Sequence, residues 1–300
     1  MRQRTTGWIF AALARLSVYR KIYDDEERIH RYIAYRGRQN ARPYKPRGRL
    51  KTASDVDFIR RGGMDGLLLR RPDRIPGRHI LYLHGSAYVM QPNVFQRRFF
   101  LKLGRIFKAE VLMPIYPKAP GTLFEEATEK FVRIYEELLA EIEPEQIVIA
   151  GDSSGGASAL VLAQALYERG LPQPGRLLMV SPVLDSTMTN PGIAALEPDD
   201  PLQTVLALRE LGRAWAGKEN LDHPGVSPIY GPLGGLADMI LVVGTSDILM
   251  PDARRLKEAA EAAGNGIRYF EYEGMMHDFP LLPIPEARRV LEEIEALLYR

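Results

Sequence analysis

Ser153 stands in Gly151-Asp152-Ser153-Ser154-Gly155, a Gly-x-Ser-x-Gly spacing. The apolar run Ile147-Val148-Ile149-Ala150 precedes it and an Ala- and Leu-rich helical stretch follows. On a sharp strand-to-helix turn a serine is lifted clear of the sheet. Side chains two positions to either side would collide with the neighbouring strand and helix, hence glycine there. The N–H after the serine points toward the negative charge that develops when Oγ attacks a carbonyl carbon. The chemistry predicted is acyl transfer through an acyl-serine. Ser154 is a rival nucleophile, but Asp152 stands where it would need glycine. Chance supplies about 0.08 such patterns in a chain of this composition, so the strand–helix junction carries the weight. A phosphate-cradling loop is the other use of a Gly-rich turn. It ordinarily brings a lysine, and the nearest basic residue here is Arg169.

A serine hydroxyl needs a base, and the base needs an orienting acid. Where the nucleophile sits on such a turn, the acid and then the histidine follow it in the chain. Of His30, His79, His84, His223 and His277, only the last two lie beyond Ser153. His223 is in a His-Pro-Gly turn ahead of the acid; His277 follows the last expected strand. The run Ile240-Leu241-Val242-Val243 leads into Gly244-Thr245-Ser246-Asp247, thirty residues before His277. Asp247 is therefore the expected acid. Asp252, after Pro251 at a helix start, is better suited to capping that helix.

Tyr82-Leu83-His84-Gly85-Ser86-Ala87-Tyr88 follows the third apolar run, where lipases and esterases carry a His-Gly oxyanion loop. Together with Gly-Asp-Ser-x-Gly-Gly, Asp-x-Leu-x-x-Asp (Asp247 to Asp252) and His-x-Phe (His277 to Phe279), this resembles the hormone-sensitive lipase-like carboxylesterases, α/β-hydrolase fold-3. The similarity runs from about residue 75 to the C-terminus, and two N-terminal helices match that family's cap. It implies hydrolysis of short- to medium-chain acyl esters with no cofactor and no metal, and it allows a homodimer. By the same resemblance the oxyanion donors are the N–H groups of Ser86, Ala87 and Ser154, while His84 orders the loop and is no base. The family usually has glycine where this chain has Ser86 and often where it has Ala87. A Cβ at Ser86 calls for a negative φ and crowds the acyl side of the pocket, which predicts a preference for small acyl groups. An amidase, lactonase or deacylase would use the same triad. A binding protein that has lost catalysis would ordinarily lack one of its members.

The elements needed to hold these residues are legible as a pattern. Runs at 56–59, 67–70, 79–83, 111–113, 147–150, 177–180, 240–243 and 267–272, bounded by Gly or Pro, read as eight buried strands. Helices read at 7–22, 24–37, 201–216, after Ser153, from a capping box of Thr122 and Glu125 to about 142, from Asp252 to before Gly264, and from Pro285 to Arg300. The expected architecture is a mostly parallel eight-stranded sheet flanked by helices, with one antiparallel edge and a helical cap. Residues 1–50 are assigned to an N-terminal cap segment, 51–184 and 226–300 to the core, and 185–225 to a cap insertion. Trp8 and Trp215 both fall in cap helices, where they could pack or face substrate.

Composition sets the frame. The 300 residues are 46% hydrophobic and 26% charged, ordinary for a globular enzyme. The absence of cysteine excludes disulfides and thiolate chemistry and fits a cytoplasmic location. Thirteen Lys or Arg against four acids give residues 1–49 a charge of +9 within a chain of net +2. This basic arm reads as a solvated helix face able to touch a membrane surface weakly; no aromatic–basic motif suggests nucleic acid. The periodic apolar residues Ile9, Leu13, Leu16, Tyr19 and Tyr23 argue for an amphipathic helix over a cleaved signal.

Overall fold

The computed structural model describes residues 10–12, 14, 18–46, 50 and 54–299. Trp8, Ile9, Leu13 and Leu16 fall outside them. Residues 10–12 and 14 are helical, and α1 (Val18–Tyr23) and α2 (Glu26–Asn40) follow. Asp25 caps α2, its side chain accepting from the Arg28 N–H.

The sheet strands are β1 (Val56–Arg61), β2 (Met64–Leu69), β3 (His79–Leu83), β4 (Glu110–Pro114), β5 (Ile147–Asp152), β6 (Arg176–Val180), β7 (Met239–Ser246) and β8 (Ile267–Met276). Their spatial order is β1-β2-β4-β3-β5-β6-β7-β8. β2 runs antiparallel to β1 and β4, and the other pairs are parallel. Strand alternation builds two cores. Leu81, Leu83, Ile147 and Ile149 face one layer, and Ile80, Tyr82, Val148 and Ala150 face the other.

The first layer packs against α4 (Phe124–Leu139), α5 (Ser154–Glu168) and α8 (Met250–Ala262). The second is covered by α3 (Val94–Phe107) and α9 (Pro285–Leu298). After β6 the chain carries α6 (Ile193–Leu196) and α7 (Val205–Ala216). α2 packs on α7, where His30 Nε2 lies 2.8 Å from Glu210 Oε2. Thr204 Oγ1 donates to the Tyr23 carbonyl (2.7 Å), tying the N-terminal helices to the insertion.

Two helix starts differ from expectation. α4 begins at Phe124 with Leu123 as a cap that makes no side-chain bond. Thr122 is thus one residue too early for a capping box, and Glu125 and Glu126 instead place charge on the positive helix end. Asp252 does not cap α8. It sits inside the first turn, where Oδ1 accepts from Asn190 Nδ2 (2.8 Å) and so pins the insertion to the core. Burial raises its pKa to about 6.

Candidate active site

Ser153 joins β5 to α5 with φ 51° and ψ −122°, a conformation few non-glycine residues adopt. Its N–H donates to Val180 O (2.8 Å) and its carbonyl accepts from Ala157 and Val183 N–H (3.1 and 3.2 Å). The flanking glycines have no alternative. A Cβ on Gly151 would run into the Gly155 carbonyl oxygen, and one on Gly155 would run into the Leu83 carbonyl oxygen. Helix and strand approach the turn that closely because nothing protrudes between them.

Asp247 follows β7 directly, and His277 follows β8. Between these strands the register shifts: Gly244 faces Tyr272, yet Ser246 faces Met276. The longer path on β8 turns the chain so that His277 comes back over the sheet. Its Nδ1–H donates to Asp247 Oδ2 (3.0 Å), and its Nε2 lies 3.1 Å from Ser153 Oγ. The other Asp247 oxygen accepts from Leu249 N–H (3.0 Å). All three side chains are buried. Lys102 on α3 donates to the carbonyls of Pro280 and Leu282 (3.0 and 3.2 Å), fixing the segment beyond His277. Burial opposes the imidazolium. The carboxylates of Asp278 and Asp247 outweigh it, with Asp200 adding to them, and raise the His277 pKa to about 10. An isolated imidazole titrates near about 6.5, so the site favours the protonated ring.

The loop after β3 takes an unexpected backbone. Ser86, Ala87 and Tyr88 all have positive φ (98°, 52° and 62°), against the negative φ expected at Ser86. The cost is on the order of 1–3 kcal/mol per residue, so neighbouring contacts must impose the shape. Asp152 supplies several of them. It accepts from Tyr82 OH (2.5 Å) and Gly85 N–H (2.8 Å) at one oxygen and from Gln96 Nε2 (3.1 Å) at the other. Tyr88 N–H donates to Ser154 Oγ (3.3 Å), and its ring stacks on Trp215 at 4.8 Å. His84 is fully buried, with Nδ1–H donating to Gly85 O (2.6 Å). Burial, and then the nearby Lys118 charge, hold its pKa well below the usual value, so it stays neutral. Among the described residues, no protein acceptor takes the N–H of Ser86, Ala87 or Ser154.

These groups meet at a cavity of about 370 Å³ lined by Ser86, Ala87, Ser153 and His277, with Phe10, Tyr23, Phe95, Leu202, Met276 and Leu281 among its apolar walls. Trp215 is not in that wall; it packs behind Tyr88.

Three polar residues here have no role in the sequence-based expectations. Asp278 places Oδ2 3.4 Å from His277 Nε2. Gln96 belongs to a capping box with Asn93 at the start of α3, and the Asn-x-x-Gln spacing is a local signal for it. Asp200 accepts three main-chain N–H groups, one from the turn beside Asp247.

A family model described as alpha/beta hydrolase fold matches residues 80–281. The acetyl-hydrolase of Streptomyces hygroscopicus is 33% identical over 233 residues, spanning 76% of this chain and 77% of that protein. An esterase of Acinetobacter venetianus is 30% identical, spanning 72% of each. The crystal structure of a hormone-sensitive lipase from a metagenome library superposes with TM-score 0.81 at 26% identity, covering 97% of both chains. This chain belongs to the hormone-sensitive lipase-like branch of the α/β-hydrolase family.

Proposed function

We propose that this protein is a serine carboxylesterase, that Ser153, His277 and Asp247 form its catalytic triad, and that it prefers short acyl groups. The reading rests on the continuous hydrogen-bond path from Ser153 Oγ through the imidazole to Asp247 (3.1 and 3.0 Å). Neutral His277 accepts the Ser153 proton at Nε2 as Oγ adds to the ester carbonyl carbon. The carbonyl oxygen, now negative, lies against the N–H groups of Ser86, Ala87 and Ser154. The tetrahedral adduct collapses, His277 passes its proton to the departing alcohol, and an acyl-Ser153 remains. A water then loses a proton to His277 as its oxygen adds to the acyl carbon. This second adduct collapses: the bond to Ser153 Oγ breaks, Oγ takes the proton back from His277, and the carboxylic acid leaves. Asp247 holds the tautomer and never takes the proton.

The preference for short acyl groups rests on Ser86, which lies in the cavity wall where the family usually carries glycine. The Streptomyces hygroscopicus relative, named an acetyl-hydrolase, is consistent with it. A para-nitrophenyl ester series tests it: kcat/KM is expected to be highest for acetate or butyrate. Octanoate as the best substrate would overturn it.

A further inference from the structure

Asp200 is buried in the loop before α7, 1% exposed. Its Oδ1 accepts from the N–H groups of Leu202 (2.8 Å) and Gln203 (2.7 Å), both in the cavity wall. Its Oδ2 accepts from the N–H of Ile248 (3.0 Å), the residue immediately after Asp247. Arg20 on α1 donates to the carbonyls of Asp200 (3.2 Å) and Gln203 (2.8 Å). One carboxylate thus joins the substrate wall and the turn that presents the acid, and an N-terminal helix grips the same loop.

A carboxylate removed from water is costly and persists only where its partners are fixed. Here the cost is increased by a second buried carboxylate, that of Asp247; burial first, and then Asp247, raise the Asp200 pKa to about 6. An amide would present an –NH2 group to at least one of the three N–H donors, so a carboxylate is what answers all of them. Its charge also reaches the site. It lies near enough to His277 to join Asp278 and Asp247 in holding the ring's proton.

We infer that Asp200 is a positioning residue for the Asp247–His277 pair: it fixes the Ile248 amide, and so holds the Asp247 carboxylate against the His277 ring. The inference rests on the triad proposed above. The carboxylates acting on His277 are Asp247, Asp278 and Asp200, and Asp152 also interacts with its charge. Asp200 itself faces Asp247 across the Ile248 amide.

The test compares the full-length wild type, Asp200→Asn and Ser153→Ala in kcat, KM and the pH profile of kcat/KM, with thermal unfolding as the control for folding. Asp200→Asn is expected to lower kcat roughly 10- to 100-fold, the scale of a small misplacement of a catalytic group. KM should hold within about twofold, because Leu202 and Gln203 keep their place in the wall. The acid limb should move to lower pH, since one charge favouring the imidazolium is gone. A lowered kcat with an unmoved acid limb would reduce Asp200 to a loop brace and overturn the inference, as would unchanged kcat and limb. Should Asp200→Asn not fold, Asp200→Ser, which keeps an acceptor without the charge, is held to the same two outcomes. Ser153→Ala separates the levels. Residual activity there defeats the triad itself, whereas a dead Ser153→Ala beside a wild-type-like Asp200→Asn defeats only this inference.

Discussion

The elbow at Ser153 and the loop at residues 86–88 hold backbone at positive φ in opposite ways. At the elbow the strained residue is single, and the positions around it are glycines whose missing Cβ atoms let β3 and α5 close in. At the loop three consecutive non-glycine residues are strained. The shape there is imposed from outside, by the Asp152 network, the Ser154 hydroxyl and the Tyr88–Trp215 stack. Asp278 (φ 55°) is of the second kind, its N–H fixed by Ser181 Oγ (3.1 Å). One geometry is written locally in sequence; the other is a tertiary property.

Gly155→Ala should give the largest effect. Its Cβ would collide with the Leu83 carbonyl oxygen, so β3 and α5 must part and the Ser153 turn must shift. A loss of about 100-fold or more in kcat/KM is expected, with a lowered melting temperature. Wild-type kinetics would show that the glycine is a local convenience and break the contrast.

Asp278→Asn probes the second kind, since asparagine tolerates the left-handed region but cannot ionise. Burial pushes the Asp278 carboxyl well above the usual range, and the His277 charge opposes that shift. The sign follows from His277. Asp278 raises its pKa toward about 10, and the base must be neutral to act, so wild-type kcat/KM should climb through an acid limb above about pH 6.5. In Asp278→Asn the limb should move down. In stability the raised folded pKa favours the fold below about pH 6.5, and that contribution is lost as pH rises toward about 10. The variant should narrow this window. An unmoved limb would mean that Asp278 does not act on the ring.

Ser86→Gly should give the smallest change. Relief at φ 98° should stabilise the protein by about 1 kcal/mol, read as a modest rise in melting temperature. Loss of the hydroxymethyl group should extend the accepted acyl chain. A drop in stability would place the strain elsewhere.

The same division explains how much is legible in the sequence. Apolar runs mark all eight strands, but the outer two are not buried as expected: β1 and most of β8 are half-buried or exposed at the sheet edges. Ser153, Asp247 and His277 stand out because each lies just past a strand. The helix α3 is missing from the expected elements, although Phe95, Phe99, Phe100, Leu103 and Phe107 recur at helical spacing and all but Phe95 are buried. The capping box of Asn93 and Gln96 that starts this helix is equally readable. Its second use, the Gln96 bond to Asp152, is not, because the partners lie 56 residues apart. Asp200 and Asp278 are hidden for the same reason: each looks like a solvated acid until the fold buries Asp200 beside Asp247 and brings the half-buried Asp278 against His277. Thr122 and Asp252 mislead in the other direction. Both carry the side chain of a cap, but the helices start where packing of Phe124 and Met250 sets them.

The central claim is that Ser153 is the nucleophile activated by His277. Labelling with a fluorophosphonate followed by peptide mapping tests it most directly. The adduct is predicted on Ser153, absent from Ser153→Ala and formed far more slowly in His277→Ala. An adduct on Ser154, or none on a folded wild-type protein, would contradict it.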